Sequence, residues 1–237
     1  NHLLHLLRRN LDINVLLFNN RIYGLTKGQY SPTSEVGKKT KSTPLGSVDH
    51  PINPLLFALG SEATFVARTS DTDMKHMVET FKAAQSHKGT SFVEVFQNCV
   101  IFNDKTFAPV TSRDSKDDQV LVLEEGQPLV FGANKDKGIR LNGLEPEVVT
   151  IGDGVTEKDL LIHQPKSSNS AYRGQTPVPF LAGPLICQNR IRGESEYALK
   201  NYLKPRLYSL ISLPQRVFPP RLSSFKYFQL YFLKLLL

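Results

Sequence analysis

Cysteine and tryptophan are scarce in this sequence, which has two cysteines, Cys99 and Cys187, and no tryptophan in 237 residues. Two thiols cannot build the disulfide framework of a small secreted domain, so we expect a reducing compartment, the cytoplasm. No run reaches the roughly 18 apolar residues that indicate a membrane-spanning helix, so no span is predicted. Because an initiator methionine and a charged-then-apolar leader are also lacking, we expect the sequence to be a fragment of a longer protein.

The excess of positive charge is confined to the end of the chain. The formal net charge is +7, yet residues 164–237 carry eleven Lys and Arg against two acids, so residues 1–163 are slightly acidic. A basic segment can bind nucleic acid or an anionic membrane. The alternative, which we favour because periodicity also fades there, is an unstructured or foreign end. We therefore expect no nucleic-acid partner.

Short apolar runs alternate with helical patterns along the first hundred residues. Residues 2–9 have helical spacing, and residues 13–18 form a nearly continuous apolar run that suits a strand buried on both faces. Residues 63–68 and 91–96 are predicted as strands, and residues 71–87 as the helix between them. Strand, helix and strand at this spacing predict a βαβ crossover in an α/β domain.

Polar segments separate these elements from the rest of the chain. Residues 19–54, rich in Gly, Pro, Ser and Thr, are predicted as a long loop, and residues 104–119 as a polar surface loop. Residues 120–149 alternate short apolar pieces with Gly and Asn turns, which predicts small strands or a hairpin. Loops longer than about 12–15 residues are usually functional or disordered, and a position after a buried strand favours function for residues 19–54.

The first residues of the long loop suit a metal and a phosphate. Asn19 and Asn20 follow the first predicted strand, where amide oxygens could serve a hard cation such as Mg²⁺. The backbones of Gly24 and Gly28 could approach a phosphate closely, and Thr26 adds a hydroxyl. On residue types alone, a plain asparagine-rich turn is an equally good interpretation.

Longer motifs favour the functional interpretation. The run after the first strand closely resembles the β subunits of 2-oxoacid:ferredoxin oxidoreductases, especially the 2-oxoglutarate type, and the resemblance covers residues 1 to about 163. It is carried by Asn19-Asn20-Arg21-Ile22-Tyr23-Gly24-Leu25-Thr26-Lys27-Gly28-Gln29-Tyr30-Ser31-Pro32-Thr33, Ser42-Thr43-Pro44-Leu45-Gly46, Asp49-His50-Pro51-Ile52-Asn53-Pro54, Ala63-Thr64-Phe65-Val66-Ala67-Arg68, Gly89-Thr90-Ser91-Phe92-Val93-Glu94-Val95-Phe96-Gln97-Asn98-Cys99 and Phe102-Asn103-Asp104.

The resemblance implies an α/β, thiamine diphosphate-binding domain with a mostly parallel sheet flanked by helices. Residues 1–119 would be the C-terminal part of that domain, and residues 120–163 a β-rich extension of the same subunit. Residues 164–237 do not match the family, so we expect a divergent, irregular and poorly ordered basic tail.

The resemblance also implies roles for residues in the long loop. Carried over by motif, Asn20 offers its side-chain oxygen to Mg²⁺ and Ile22 offers its backbone carbonyl. Gly24, Leu25 and Thr26 lie along the diphosphate.

The family's Gly-Asp-Gly motif, whose Asp is the other protein ligand of Mg²⁺, precedes the Asn-Asn pair. We therefore expect it shortly before Asn1. The chain's own Gly-Asp-Gly, residues 152–154, follows the pair and is interpreted as a tight turn.

Two further residues gain roles from the resemblance. Lys27 is placed to pair with the distal carboxylate of a 2-oxoacid such as 2-oxoglutarate, which pyruvate lacks; the alternative is that it faces solvent or a phosphate. Cys99 resembles one ligand of a [4Fe-4S] cluster, which needs four thiolates, and the other three are expected outside this sequence. On composition alone, a lone cysteine is usually a small buried hydrophobe.

The activity implied is CoA-dependent oxidative decarboxylation of a 2-oxoacid, which gives an acyl-CoA, CO₂ and reduced ferredoxin. An α subunit would complete the site, and the fragment alone is expected to be inactive. One alternative is a thiamine diphosphate-dependent decarboxylase without ferredoxin chemistry. The other is a non-enzymatic basic protein that binds anions or a membrane surface through its tail.

Overall fold

The computed structural model describes residues 1–143, 145–152, 154–165 and 180–187. In that part the helices are α1 (His2–Arg9), α2 (Pro54–Gly60), α3 (Met74–Ser86), α4 (Ala108–Thr111) and α5 (Arg113–Gln119), with a 3-10 turn at Glu157–Asp159. The strands are β1 (Asn14–Asn19), β2 (Ile22–Tyr23), β3 (Gln29–Tyr30), β4 (Phe65–Ser70), β5 (Ser91–Phe96), β6 (Val120–Val122), β7 (Val130–Phe131), β8 (Lys137–Asn142), β9 (Glu145–Thr150) and β10 (Phe180–Cys187).

Five strands form the main sheet, in the order β1-β5-β4-β10-β6. β1, β5 and β4 are parallel neighbours, and α3 connects β4 to β5. Asp73 begins α3, because its carboxylate accepts a hydrogen bond from the His76 N–H at 3.1 Å. All six residues of β5 are buried between two neighbouring strands. The predicted βαβ crossover and the predicted fold class are therefore confirmed.

Strand β1 is less buried than the sequence predicted. Asn14 at its start is exposed, and Phe18 keeps 43% of its surface exposed. The prediction of a strand buried on both faces is therefore wrong. Within the described residues β1 lies at the edge of the sheet and pairs with β5 alone, so its outer side has no strand to cover it.

Apolar side chains pack on both faces of the sheet. Phe92 joins Leu55 of α2 and Leu121 of β6 in one buried cluster, whereas Val93, its neighbour along β5, joins Ala84 of α3 in a second cluster. Successive side chains of a strand point to opposite faces, so the two clusters cover the two sides. The first cluster also takes in buried residues of β7 and β8, which shows that the β-rich segment shares the core of the main sheet.

The segment predicted as a polar surface loop, residues 104–119, instead contains the short helices α4 and α5. Neither helix has a buried residue, so no apolar periodicity marks them in the sequence. Pro109 stands in the first turn of α4, where a missing N–H leaves no hydrogen bond unmade. The prediction of a loop is wrong, although these residues lie on the surface as expected.

The hairpin predicted within residues 120–149 is confirmed. β7, β8 and β9 form an antiparallel sheet, and β8 turns into β9 at Gly143, which has a φ of 63°. Further along, the Gly154 N–H donates to the Gly152 carbonyl at 2.9 Å, and both glycines have positive φ. This is the tight turn that was predicted; Asp153 between them lies outside the described residues.

Strand β10 lies inside the segment that was expected to be irregular. It joins the main sheet between β4 and β6, antiparallel to β4 and parallel to β6. The expectation is therefore corrected for Phe180–Cys187, while residues 166–179 and 188–237 lie outside the described part of the chain. None of the described helices is long and apolar enough to cross a membrane.

Candidate cofactor site

The long loop and the segment that carries Cys99 leave the sheet at the same edge. Asn19 and Phe96, the last residues of β1 and β5, are paired in the parallel register. The Gln97 N–H then donates to the Asn19 carbonyl at 3.0 Å, which extends the pairing by one residue. Because parallel strands end at a common edge, the residues after β1 and after β5 begin side by side.

Asn19 fixes the start of the loop by three side-chain hydrogen bonds. Its buried Nδ2 donates to Glu94 Oε1 at 2.7 Å. Its Oδ1 accepts from the Arg21 N–H at 3.0 Å and from the Thr33 hydroxyl at 2.8 Å. The Asn19 amide is therefore committed to structure, and it holds both ends of the segment from residue 20 to residue 33.

Asn20 forms the turn that follows. Its Oδ1 accepts from the Ile22 N–H at 3.2 Å, an Asx turn of the kind that asparagine favours. Arg21 between them adopts a left-handed backbone with a φ of 54°. An amide oxygen has two lone pairs, so Asn20 keeps acceptor capacity for a second partner.

Residues 22–30 form a short hairpin. β2 and β3 pair antiparallel, with Ile22 opposite Tyr30, and the Gly28 N–H donates to the Tyr23 carbonyl at 3.0 Å. The Ile22 side chain is buried, which leaves its backbone as the part that a ligand could reach. The hairpin tip is exposed and consists of Leu25, Thr26 and Lys27.

Two glycines in this hairpin differ in what their substitution would cost. We expect Gly28→Ala to lower the free energy of unfolding by at least about 1 kcal/mol, because Gly28 has a φ of 96° and an added Cβ would lie 2.9 Å from Phe102 Cδ1. Gly24→Ala is the matched control, since an added Cβ there has no atom within 4 Å. Urea unfolding of both variants checks this, and equal midpoints would contradict it.

A buried ion pair lies beneath the turn. Glu94 on β5 is 1% exposed and accepts from Arg68 of β4 through Nε and Nη2, both at 2.8 Å from Oε2. Its other oxygen accepts from Asn19, as described above. The carboxylate thus links three neighbouring strands, β1, β5 and β4, close to their carboxyl ends.

Two stacked aromatic rings separate two arginines at the same corner. The rings of Phe96 and Phe107 are 3.9 Å apart and nearly parallel. The Arg68 guanidinium lies 5.0 Å from the Phe96 centroid, and that of Arg21 lies 4.9 Å from the Phe107 centroid. Burial lowers the pKa of Arg21. The stack packs the segment after β5 against the start of the loop through cation–π contacts.

Cys99 is partly buried in a turn closed by Asn103, whose N–H donates to the Cys99 carbonyl at 2.9 Å. The Asn103 side chain reaches back to the loop and donates to the Asn20 carbonyl at 3.0 Å. Cys99 and Asn20 therefore lie on adjoining segments. Within the described residues no group of three or more His, Cys, Asp or Glu side chains is placed to hold a metal.

Comparison with known proteins finds a family model for the part of the chain that contains the turn and hairpin after β1. Residues 1–95 match the family model of the thiamine pyrophosphate enzyme C-terminal TPP-binding domain. Over these residues the chain is similar to the TPP-binding domain of thiamine enzymes. The hairpin after β1 lies within the matched residues, and the thiamine-binding fold that the sequence motifs implied is confirmed.

Individual proteins are also similar to this chain. The 2-oxoglutarate oxidoreductase subunit KorB of Mycobacterium tuberculosis is 49% identical over 172 residues, which is 73% of this chain and 46% of that subunit. The β subunit of 2-oxoacid:ferredoxin oxidoreductase 1 from Aeropyrum pernix is 48% identical over 103 residues, 44% of this chain and 32% of that subunit. The chain spans less than half the length of these curated relatives.

A solved structure has the same fold. It is a 2-oxoglutarate:ferredoxin oxidoreductase from Magnetococcus marinus with 2-oxoglutarate, coenzyme A and succinyl-CoA bound. The match has a TM-score of 0.59 at 25% identity and covers 90% of this chain and 62% of that one. The resemblance to β subunits of 2-oxoacid:ferredoxin oxidoreductases is confirmed, and neither alternative function is supported.

The residues of the turn and hairpin after β1 fit a magnesium diphosphate in their chemistry. Asn20 offers an amide oxygen and Ile22 a backbone carbonyl, the hard oxygen donors that Mg²⁺ prefers. The Tyr23 hydroxyl is buried and has no hydrogen-bond partner within the described residues, as in a site that a ligand or another chain segment completes. Burial raises the pKa of Tyr23, which keeps that hydroxyl a neutral donor.

Sequence reasoning missed the residues that support the turn. Glu94 and Arg68 both lie in motifs that carry the resemblance, but no role was predicted for either residue. A lone carboxylate inside the apolar run Ser91–Phe96 is itself a signal of a buried partner. Asn103 gave no such signal, because the two carbonyls to which its side chain donates lie more than 80 residues away in the sequence.

Proposed function

We propose that this chain is part of the β subunit of a 2-oxoglutarate:ferredoxin oxidoreductase and that residues 20–27 bind thiamine diphosphate with Mg²⁺. The observation that carries the proposal is the turn and hairpin after β1, which stand at the carboxyl edge of a parallel sheet. Ligands of open α/β sheets bind at that edge. The hairpin lies within the residues that match the TPP-binding domain.

In this proposal Asn20 gives Oδ1 and Ile22 gives its carbonyl oxygen to Mg²⁺. The diphosphate and the Asp of a Gly-Asp-Gly motif outside this sequence would supply further oxygens, the ligands that Mg²⁺ prefers. Gly24, Leu25 and Thr26 lie along the diphosphate. Thiamine diphosphate supplies the carbanion chemistry of decarboxylation when bound, and the residues of this chain hold and orient it.

Cys99 would contribute one thiolate to a [4Fe-4S] cluster, which would supply electron-transfer chemistry when bound. The cluster takes four thiolates and this sequence has two cysteines, so further ligands come from outside it. An α subunit completes the site, coenzyme A accepts the acyl group and ferredoxin accepts the electrons. The low cysteine content favours the cytoplasm. The ligands named for the solved relative support the choice of 2-oxoglutarate and coenzyme A.

Lys27 selects a substrate with a second carboxylate. It is exposed at the hairpin tip, beside the residues assigned to the diphosphate, with a left-handed backbone φ of 64°. We expect the holoenzyme to reduce ferredoxin with 2-oxoglutarate and coenzyme A far faster than with pyruvate. Lys27→Met should raise the KM for 2-oxoglutarate by about tenfold to a hundredfold, the value of a hydrogen bond to a charged group.

Lys39→Met is the matched control, since Lys39 is exposed on the same long loop and contributes nothing to the proposed site. Initial rates of ferredoxin reduction with both substrates give the comparison. A wild-type holoenzyme that releases CO₂ without reducing ferredoxin would contradict the proposed function. An unchanged KM in Lys27→Met would contradict only the role of Lys27.

A further inference from the structure

Asn103 joins two segments that the proposed function assigns to different cofactors. Its Nδ2 donates to the Asn20 carbonyl at 3.0 Å and to the Arg21 carbonyl at 3.3 Å. Its backbone N–H donates to the Cys99 carbonyl at 2.9 Å, and the two residues form an isolated antiparallel bridge. One residue therefore binds the turn that contains Asn20 and closes the turn that contains Cys99.

The environment of Asn103 makes this link rigid. The residue is 5% exposed, so water does not replace the bonds it makes. Its Oδ1 accepts from Lys38 Nζ, which also pairs with Glu35 at 3.1 Å. Both donor hydrogens and the acceptor oxygen of the amide are thus engaged, which fixes the orientation of the side chain.

A second contact joins the same two segments. Phe102, the residue before Asn103, packs its ring against Gly28, so closely that a Cβ at Gly28 would lie 2.9 Å from Phe102 Cδ1. The Cys99 turn therefore touches the hairpin at its base through Asn103 and near its far end through Phe102. Neither segment can shift by much without disturbing the other.

We propose that Asn103 is a positioning residue that sets the spacing between the Mg²⁺–diphosphate turn and the cluster ligand Cys99. This inference rests on the proposed function, because that function assigns the two cofactors. Asn103 contacts the backbone of Asn20 and of Cys99, and it acts through them. The Asn103 side chain donates to the backbone carbonyl of Asn20, and the Asn103 backbone N–H donates to the carbonyl of Cys99.

An isosteric substitution tests the side chain alone. In Asn103→Asp the carboxylate keeps the shape and still accepts from Lys38, but it donates nothing and places an oxygen against the carbonyls of Asn20 and Arg21. The backbone bond to Cys99 is unaffected. The turn that contains Asn20 should therefore loosen while the cluster is retained.

The holoenzyme with thiamine diphosphate is titrated with Mn²⁺, a paramagnetic substitute for Mg²⁺, and free Mn²⁺ is counted by EPR. We expect Asn103→Asp to raise the Kd of Mn²⁺ by about tenfold, the lower end of the effect of groups that support a metal ligand. Pulsed EPR then measures the distance from Mn²⁺ to the reduced cluster. The distance distribution should broaden in Asn103→Asp, with the iron content unchanged.

Asn142→Asp is the control, because it makes the same substitution at an exposed residue of β8, and it should match the wild type. Should Asn103→Asp fail to fold, Lys38→Met loosens the same amide from its other side and should raise the Kd about threefold, as expected for one hydrogen bond. A merely structural role would lower thermal stability and leave the Kd and the distance unchanged.

The positioning role is overturned if Asn103→Asp, or Lys38→Met as its substitute, keeps the wild-type Kd of Mn²⁺ and the wild-type distance from Mn²⁺ to the cluster. The proposed function stands in that case. A wild-type holoenzyme that binds no Mn²⁺ or contains no cluster overturns the proposed function, and the positioning role with it.

Discussion

Asn20→Ala is expected to weaken Mg²⁺ binding in the presence of thiamine diphosphate by more than about a hundredfold. This exceeds the effect typical of residues that support a metal ligand without binding the metal themselves. The substitution removes a proposed oxygen ligand, and alanine has no atom to replace it. Isothermal titration of the holoenzyme with Mg²⁺ measures the change. Ferredoxin reduction should fall in parallel at fixed Mg²⁺ and recover in part when Mg²⁺ is raised.

Asn14→Ala is the control for this experiment. Asn14 is exposed at the start of β1, the strand that Asn20 follows, so its loss removes an asparagine from β1 without touching the carboxyl edge. The Asn20 variant also loses the bond to the Ile22 N–H, which costs about 1 kcal/mol of stability, so thermal unfolding of both variants is recorded. Wild-type Mg²⁺ affinity in Asn20→Ala would contradict the assignment of this residue.

Glu94→Ala is expected to lower the free energy of unfolding by about 3–5 kcal/mol, the cost of leaving a buried charge without its partner. Arg68 would keep its guanidinium, whose side chain is 13% exposed, without the carboxylate. Asn19 would lose the acceptor of its Nδ2, and the turn after β1 would lose support. Urea unfolding measures the stability.

Glu147→Ala is the matched control, because Glu147 pairs with Arg140 on the surface, where both side chains are at least one-third exposed. Such pairs contribute about 0–1 kcal/mol. The double variant Glu94→Met with Arg68→Met should recover much of the loss, since an apolar pair of similar volume avoids the uncompensated charge. A cost for Glu94→Ala no greater than that of Glu147→Ala would contradict the importance of the buried pair.

Local patterns predicted the elements whose burial follows from their own residues. The apolar run 91–96 marks β5, and the helix predicted over residues 71–87 contains α3. The short helices at residues 108–119 were missed, because none of their residues is buried and they carry no apolar stripe. β1 was predicted too buried, since an apolar run specifies which residues prefer burial and says nothing of how many neighbours the sheet supplies.

The residues of the candidate site also fall into two groups, those that a local motif contains and those that come from distant positions. Asn20, Ile22 and the hairpin tip are consecutive in the sequence, so a motif can contain them all. Contacts that support them come from distant positions: Glu94 reaches Asn19 across 75 residues, and Asn103 reaches Asn20 across 83. These pairs depend on the parallel register of β1 with β5, which no local pattern encodes.

By itself, the sequence determined the α/β class, the βαβ crossover, the resemblance to thiamine-binding β subunits and the short segment proposed to hold the cofactor. Those features depend on periodicity and on residues close together along the chain. Only the tertiary structure decided that Glu94 holds Asn19, that Arg21 and Arg68 flank two stacked rings, and that Asn103 ties the Asn20 turn to Cys99. The reason is that parallel strands bring together chain ends that are remote in sequence, and buried polar groups then select their partners by proximity.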